Sequence, residues 1–254
     1  MGFEKLETVV EIGLEFTTLG SLAIGAGDQP QEVTESPVIR IGGEPAIPGS
    51  SLKGALRSNL EALLAARGEL VCVPLAAIPW EHRRGRDAQQ AYVKSLGRKL
   101  PCGVNDPCPV CQIFGTTAGT QGLSGSAIFL DATLAELFSP EMLTERTHVA
   151  ITRDTRSQSG RTLMTLETVE SGVKFRGGIR LINPQNWQVG AVLQAIEWLK
   201  QLGLGGKKTA GYGQLNIAVT DIAEKQLEGG RWQETPKEAE AYTRAFVEKF
   251  EGQR

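Results

Sequence analysis

Val9-Val10-Glu11-Ile12-Gly13-Leu14-Glu15-Phe16-Thr17-Thr18-Leu19 is the first stretch of the chain with a clear period. Apolar side chains recur at Val10, Ile12, Leu14 and Phe16, with polar or small residues between them. A period of two carried by Val, Ile, Phe and Thr predicts a half-buried β-strand. Residues 20–44 then bring five glycines, two prolines and no period, which predicts a long functional loop. Pro48-Gly49-Ser50 opens a helix with serine as its N-cap. Leu52, Ala55, Leu56, Leu60, Leu63 and Leu64 recur at helical spacing on one buried face, and Gly68 ends the run.

Further strands are expected over 125–130, 173–182 and 214–220, and a second helix over 189–202, with a short helix or loop at 132–143. Stripped of insertions, the order is strand, helix, strand, strand, helix, strand. That predicts an α+β chain with a ferredoxin-like (RRM-like) core. Residues 69–122 lack a long period, hold all four cysteines and are expected to be an insertion. Residues 149–182 are expected to form one long β-hairpin. Thr235-Pro236-Lys237-Glu238 matches a capping box, and Ala239, Tyr242, Phe246 and Phe250 share one face of the helix it predicts, in an extension over 221–254.

The 254 residues suit one large domain, at 41% apolar, 22% charged and net charge −2. That balance argues mildly against a free-standing nucleic-acid binder, which usually carries a basic excess. Basic residues are nonetheless concentrated, with Arg153, Arg156, Arg161, Lys174, Arg176 and Arg180 in one span. Residues 1–8 carry three charges and no apolar run of secretory type, and no stretch approaches membrane length. A cytoplasmic protein without a membrane partner is expected, and in that compartment cysteines seldom pair as disulfides.

Cys108-Pro109-Val110-Cys111 has the spacing at which two thiolates of one turn share a tetrahedral zinc ion. Cys102 supplies a third ligand. The fourth is Cys72 or His82, and Cys72 is preferred because structural zinc favours thiolates. Such an ion would stabilise an insertion with little core of its own. Ser50, Ser51, Lys53 and Arg57 put hydroxyls and two cations on one face of a helix start, where free amides suit a phosphate. Gly205-Gly206-Lys207-Lys208-Thr209-Ala210-Gly211-Tyr212-Gly213 joins a helix to a strand, so its amides and lysines are candidates to cradle a second phosphate. Its order and spacing exclude a nucleotide P-loop. Leu163 and Met164, among the arginines of the hairpin, suit a tip that wedges between bases.

Three stretches together resemble the RAMP superfamily, and within it the repeated backbone subunit of type III (Csm-like) CRISPR complexes. They are Ser36-Pro37-Val38-Ile39-Arg40 followed by Ile47 to Ser58; Cys108 to Gly115; and Gly205 to Gly213. The resemblance implies a single RAMP domain over 1–254 that polymerises along a guide RNA beside other complex subunits. Complementary target RNA would pair with that guide. It implies that the hairpin is a thumb and that Lys207, Lys208, Gly205, Gly206 and Gly211 meet the RNA backbone. In active relatives an aspartate precedes the Ser/Asn-Pro of the long loop, and cleaves target RNA. Here Glu35 holds that position, and Asp28 is the nearest aspartate. Carboxylates of this kind would work through magnesium or manganese. Thr152 also departs from the family, which often has an acidic residue there. The alternatives are a stand-alone RAMP endoribonuclease that processes precursor guide RNA, and a zinc-stabilised interaction protein. The first commonly needs a histidine near the first helix, where neither His82 nor His148 lies.

Overall fold

The computed structural model describes residues 5–25, 36–117, 122–151 and 158–251, without the side chains of 149–151 and 158–164. Strand β1, Thr8–Thr18, leads through the small β2–β3 ribbon, Arg40–Ile41 and Glu44–Pro45, to helix α1, Gly49–Ala66. The insertion holds α2, Arg86–Ser95, and α3, Pro109–Phe114. Short strands β4, Ala127–Phe129, and β5, Thr133–Leu134, precede the pair β6, Leu143–Ile151, and β7, Gln158–Val169. Strand β8, Lys174–Ile182, helix α4, Asn186–Leu202, strands β9, Leu215–Glu228, and β10, Arg231–Pro236, and helix α5, Ala239–Phe250, complete the chain.

The main sheet runs β10-β9-β1-β8-β4, with β5 also on β8, and its pairs are antiparallel. The alternation of β1 explains its place at the centre. Val10, Ile12, Leu14 and Phe16 are buried in one core with Leu52, Leu56, Leu60 and Leu64 of α1 and Val189, Val192, Ile196 and Leu199 of α4. On the opposite face Glu11 joins Arg180 of β8 to Lys225 of β9, and Glu15 pairs with Arg176 and Lys174.

That face corrects the expected hairpin. Residues 173–182 do not fold back on 149–169. They form β8, in register with β1 from Val9↔Ile182 to Thr17↔Lys174. The partner of 158–169 is the preceding strand, from Leu143↔Val169 to Ile151↔Gln158. The apolar alternation Phe175, Ile179, Leu181 holds β8 in the core, whereas the polar β6 pairs, among the described residues, with its hairpin partner alone. Lys174 therefore lies on the main sheet, and the local basic excess of its neighbours is offset by β1.

Helix α1 begins at Gly49, not at a serine cap. Its N-cap is Pro48, which has no side-chain donor or acceptor, and Ser50 lies within the first turn. The missing acceptor comes from Asp131, whose carboxylate receives the Gly49 N–H at 2.7 Å. A carboxylate also complements the helix dipole there. Asp131→Ala is expected to cost about 0.5–2 kcal/mol, read as a lower urea midpoint with unchanged slope. The other end of α1 is as expected. Gly68 has φ +86°, its N–H reaches the Ala65 carbonyl and that of Glu69 reaches Leu64, the two bonds of a Schellman motif.

The extension over 221–254 is also revised. Strand β9 continues to Glu228 and β10 returns along it, so Thr235 and Pro236 are strand residues, and α5 starts after an uncapped Glu238. Proline is tolerated because β10 is an edge strand. The face of α5 is as read: Tyr242, Phe246 and Phe250 are buried against α4, and a β-carbon on Gly190 would strike the Tyr242 carbonyl. Helix α5 thus closes the core. Among the described residues no helix is long and apolar enough to cross a membrane.

Candidate metal centre and nucleic-acid interface

Two regions carry candidate chemistry. In the first, the insertion returns Cys72, on a bridge with Lys99, to Cys102 and to the start of α3. Cys108 is the N-cap of α3 and Cys111 follows within its first turn. All four thiols are buried and unpaired as disulfides, and their sulfurs lie within 4.8 Å of one another. Cys72 and Cys111 are 3.3 Å apart, and Cys72 and Cys108 3.8 Å. A tetrahedral zinc ion with bonds of about 2.3 Å spaces its sulfurs about 3.8 Å apart. The donor set and its spacing therefore fit a metal such as zinc. His82 is not part of the cluster; its ring stacks on Tyr92 at 4.8 Å.

The four thiols share their protons: hydrogen bonds among them push Cys108 and Cys102 below the ordinary thiol range and Cys72 and Cys111 above it. Arg57 points into this centre. Its Nε donates to Glu61 at 2.8 Å, its Nη1 to the Gly115 carbonyl at 2.8 Å, and its Nη2 faces the Cys111 sulfur at 3.6 Å. Burial works against its charge, and Glu61, Cys111 and Cys72 more than offset that. The Arg57 guanidinium, four residues along the helix from Lys53, is thus turned toward the cysteine cluster. Lys53 has no carboxylate partner among the described residues, and burial, then Arg57, lower its pKa. Ser50 is exposed and Ser51 half-buried.

The second region gathers distant segments. The chain on either side of 26–35 is tied down at both ends. Leu22 exchanges backbone bonds with Val169 of β7, at 2.8 and 2.9 Å, and the Ala23 carbonyl accepts the Gly206 N–H at 2.8 Å. On the other side, the Ser36 carbonyl accepts the Glu167 N–H at 3.0 Å, and Ile39 donates to Ile24 at 2.9 Å. Glu167 also takes the Val38 N–H at 3.0 Å and pairs with Arg40 at 2.6 Å. His148 of β6 meets the Tyr212 hydroxyl at 3.0 Å, joining the hairpin to the glycine loop. Glycine loop, hairpin and the two ends of 26–35 thus meet, while the N-terminus of α1 packs against Phe129 and Asp131.

Several loop glycines serve the chain's own packing. A β-carbon on Gly205 (φ +88°) would strike the Ala23 carbonyl, and one on Gly213 (φ +78°) the Leu204 carbonyl. Gly211 (φ +89°) has open space. Leu204, Gly206, Gly211 and Gly213 donate their amides to carbonyls. The part of the loop left to meet a ligand is the turn around Lys207, in left-handed conformation, and Lys208, both exposed. Lys207→Ala and Lys208→Ala together are expected to lower the slope of log affinity for single-stranded RNA against log salt by about 1.4, measured by fluorescence anisotropy.

Asp28, Glu35, Arg153 and Arg156 lie outside the described residues, and Arg161 and Met164 are described as backbone of β7 only. Sequence reading missed Asp131, Glu167 and the His148–Tyr212 pair. Each acts across 64 or more positions of chain, and no local pattern marks such a contact.

The model of the RAMP superfamily matches residues 15–216. The chain belongs to the RAMP superfamily. A curated relative from Methanothermobacter thermautotrophicus, named CRISPR system Cms endoribonuclease Csm3, is 27% identical over 233 residues, covering 82% of this chain and 79% of the relative. The matched span leaves out most of β1 and of β9 together with β10 and α5, and it contains the four-cysteine cluster.

Proposed function

We propose that this RAMP protein is a guide-RNA-binding backbone subunit of a type III CRISPR ribonucleoprotein, working in the cytoplasm beside further copies of itself and other subunits. The observation that carries the reading is the meeting of the glycine loop, the β6–β7 hairpin and both ends of residues 26–35. Membership of the superfamily and the name of its relative support it. The core, with its strands in the order β9-β1-β8-β4, is read as ferredoxin-like (RRM-like), and β6–β7 as its thumb.

In this reading Lys207 and Lys208 contact RNA phosphates, with Lys53, Ser50 and Ser51 a separate contact at α1. Lys174, Arg153, Arg156, Arg161 and Met164 are secondary candidates, the last four on or beside the thumb. Base pairing supplies sequence specificity, and the protein holds the backbone. Asp28 and Glu35 are the carboxylates that would bind magnesium or manganese for target cleavage; the glutamate adds one bond length to the position where active relatives have aspartate. Zinc on Cys72, Cys102, Cys108 and Cys111 is structural.

The test is co-expression with a CRISPR array and neighbouring genes, followed by sequencing of RNA in the purified protein. Guide RNA protected at regular intervals is the expected result. A folded protein free of guide RNA overturns the reading. In assembled complex, Glu35→Gln and Asp28→Asn are expected to lower target cleavage at unchanged guide content, and unchanged cutting in both removes them as catalysts.

A further inference from the structure

The geometry points to Arg57 as a positioning residue of the metal centre, holding the Cys111 thiolate and the end of α3 against α1. The inference rests on the zinc occupancy proposed above. Zinc held by four thiolates is a net dianion, and a buried charge of that kind needs compensation close by. Arg57 is the described cation whose guanidinium meets a cluster sulfur, at 3.6 Å from Cys111. The same guanidinium holds the Gly115 carbonyl, where α3 ends, and Glu61 one turn further along α1. Its side chain is 18% exposed and that of Glu61 14%, so the fork is sheltered from competing water.

The arrangement assigns each donor a task. Glu61 fixes the plane of the guanidinium, Gly115 fixes the position of α3, and the remaining nitrogen meets the sulfur. A planar fork with several donors can do all three at once, and an ammonium cannot. Lys99 adds a second positive charge near the cluster. It lies on the bridge beside Cys72, with Asp106 as its ion-pair partner at 3.5 Å; burial works against its charge, and Cys102, Asp106 and Cys108 more than offset that. Groups that orient metal ligands in this way are commonly worth about 10–100-fold in metal affinity.

The test uses the full chain, loaded with zinc, in wild-type form and as Arg57→Met, Arg57→Lys and the exposed control Lys94→Met. Transfer of zinc to a colorimetric chelator gives the release rate, and cobalt substitution reports the sulfur-to-metal charge-transfer band. Release about 10–100 times faster in Arg57→Met, with a shifted band, intermediate behaviour in Arg57→Lys and none in Lys94→Met, is the expected result. The band separates an effect on the thiolate from simple loosening of α1, which would leave it in place in the loaded, folded protein. Wild-type release and an unshifted band in Arg57→Met overturn the inference. A reduced salt slope for RNA in that variant, with zinc unaffected, returns Arg57 to a phosphate. Absence of zinc from the wild-type chain overturns the zinc proposal itself, and the inference with it.

Discussion

Cys111→Ser is expected to abolish stoichiometric zinc binding and to give the largest loss of stability of any single change in the insertion. Cys111 is fully buried and adjoins Cys72 and the Arg57 guanidinium. Serine offers a poor ligand, leaves three thiols with an incomplete shell, and strands the arginine beside a neutral hydroxyl. Residues around 73–100 have only a small separate apolar cluster, Val73, Ile78 and Val93. That cluster cannot replace the binding energy of a structural zinc site, which reaches about 10–16 kcal/mol in isolated zinc fingers. Here Cys111 is also part of the main core, so part of the fold persists. The measurement is metal content by mass spectrometry together with hydrogen exchange. Loss of protection over α2 and α3, with β1 and α4 still protected, is expected. Full zinc content in the variant would refute the assignment.

Phe246→Ala is the second large effect. Its ring is wholly buried between α4 and α5, tilted against Phe250 at 5.1 Å, with the Arg67 guanidinium 5.1 Å from its centre. Removing it opens a cavity and loses both partners, at about 3–5 kcal/mol. For a domain of this size that amounts to a fall in melting temperature of about 6–20 °C. A change under 2 °C by calorimetry would mean that α5 does not close the core. The proposed RNA contacts Lys207 and Lys208 are not among the groups that meet Phe246, so guide content of the surviving folded fraction is expected to be unchanged.

The sequence disclosed what short-range pattern encodes. The alternation of β1, the leucine spacing of α1 and the Cys-x-x-Cys turn each needed only a few residues to read. Strand β6 escaped because Leu143–Ile151 reads Leu-Thr-Glu-Arg-Thr-His-Val-Ala-Ile, polar through most of its length, and a two-stranded ribbon buries too little to impose a pattern. Strand β10 is exposed throughout and left no signal for the same reason, so a proline and a threonine within it passed for a helix cap. Asp131 and Glu167 act at the far end of long chain separations. The contacts of Arg57 with Glu61, Gly115 and Cys111 were not legible, because helical spacing reports which residues share a face and is silent about what that face meets. The four-cysteine cluster was legible because chemistry restricts candidate zinc ligands to a few residue types, whereas a phosphate contact accepts any exposed cation.

The central place of β1 also has a temporal side. Its two hydrogen-bonding neighbours are β8 and β9, whose register partners reach Gln226 opposite Thr8. A ribosome adding about 5–20 residues per second leaves of order 10–40 s between the appearance of these two ends. Until β8 is made, Val10, Ile12, Leu14 and Phe16 lack both strand neighbours and share their core only with the leucines of α1; from then until β9 appears, one edge of β1 stays open. An open edge of this kind invites pairing with the wrong strand, so the yield of folded protein is expected to depend on shielding of β1 until β9 has been made.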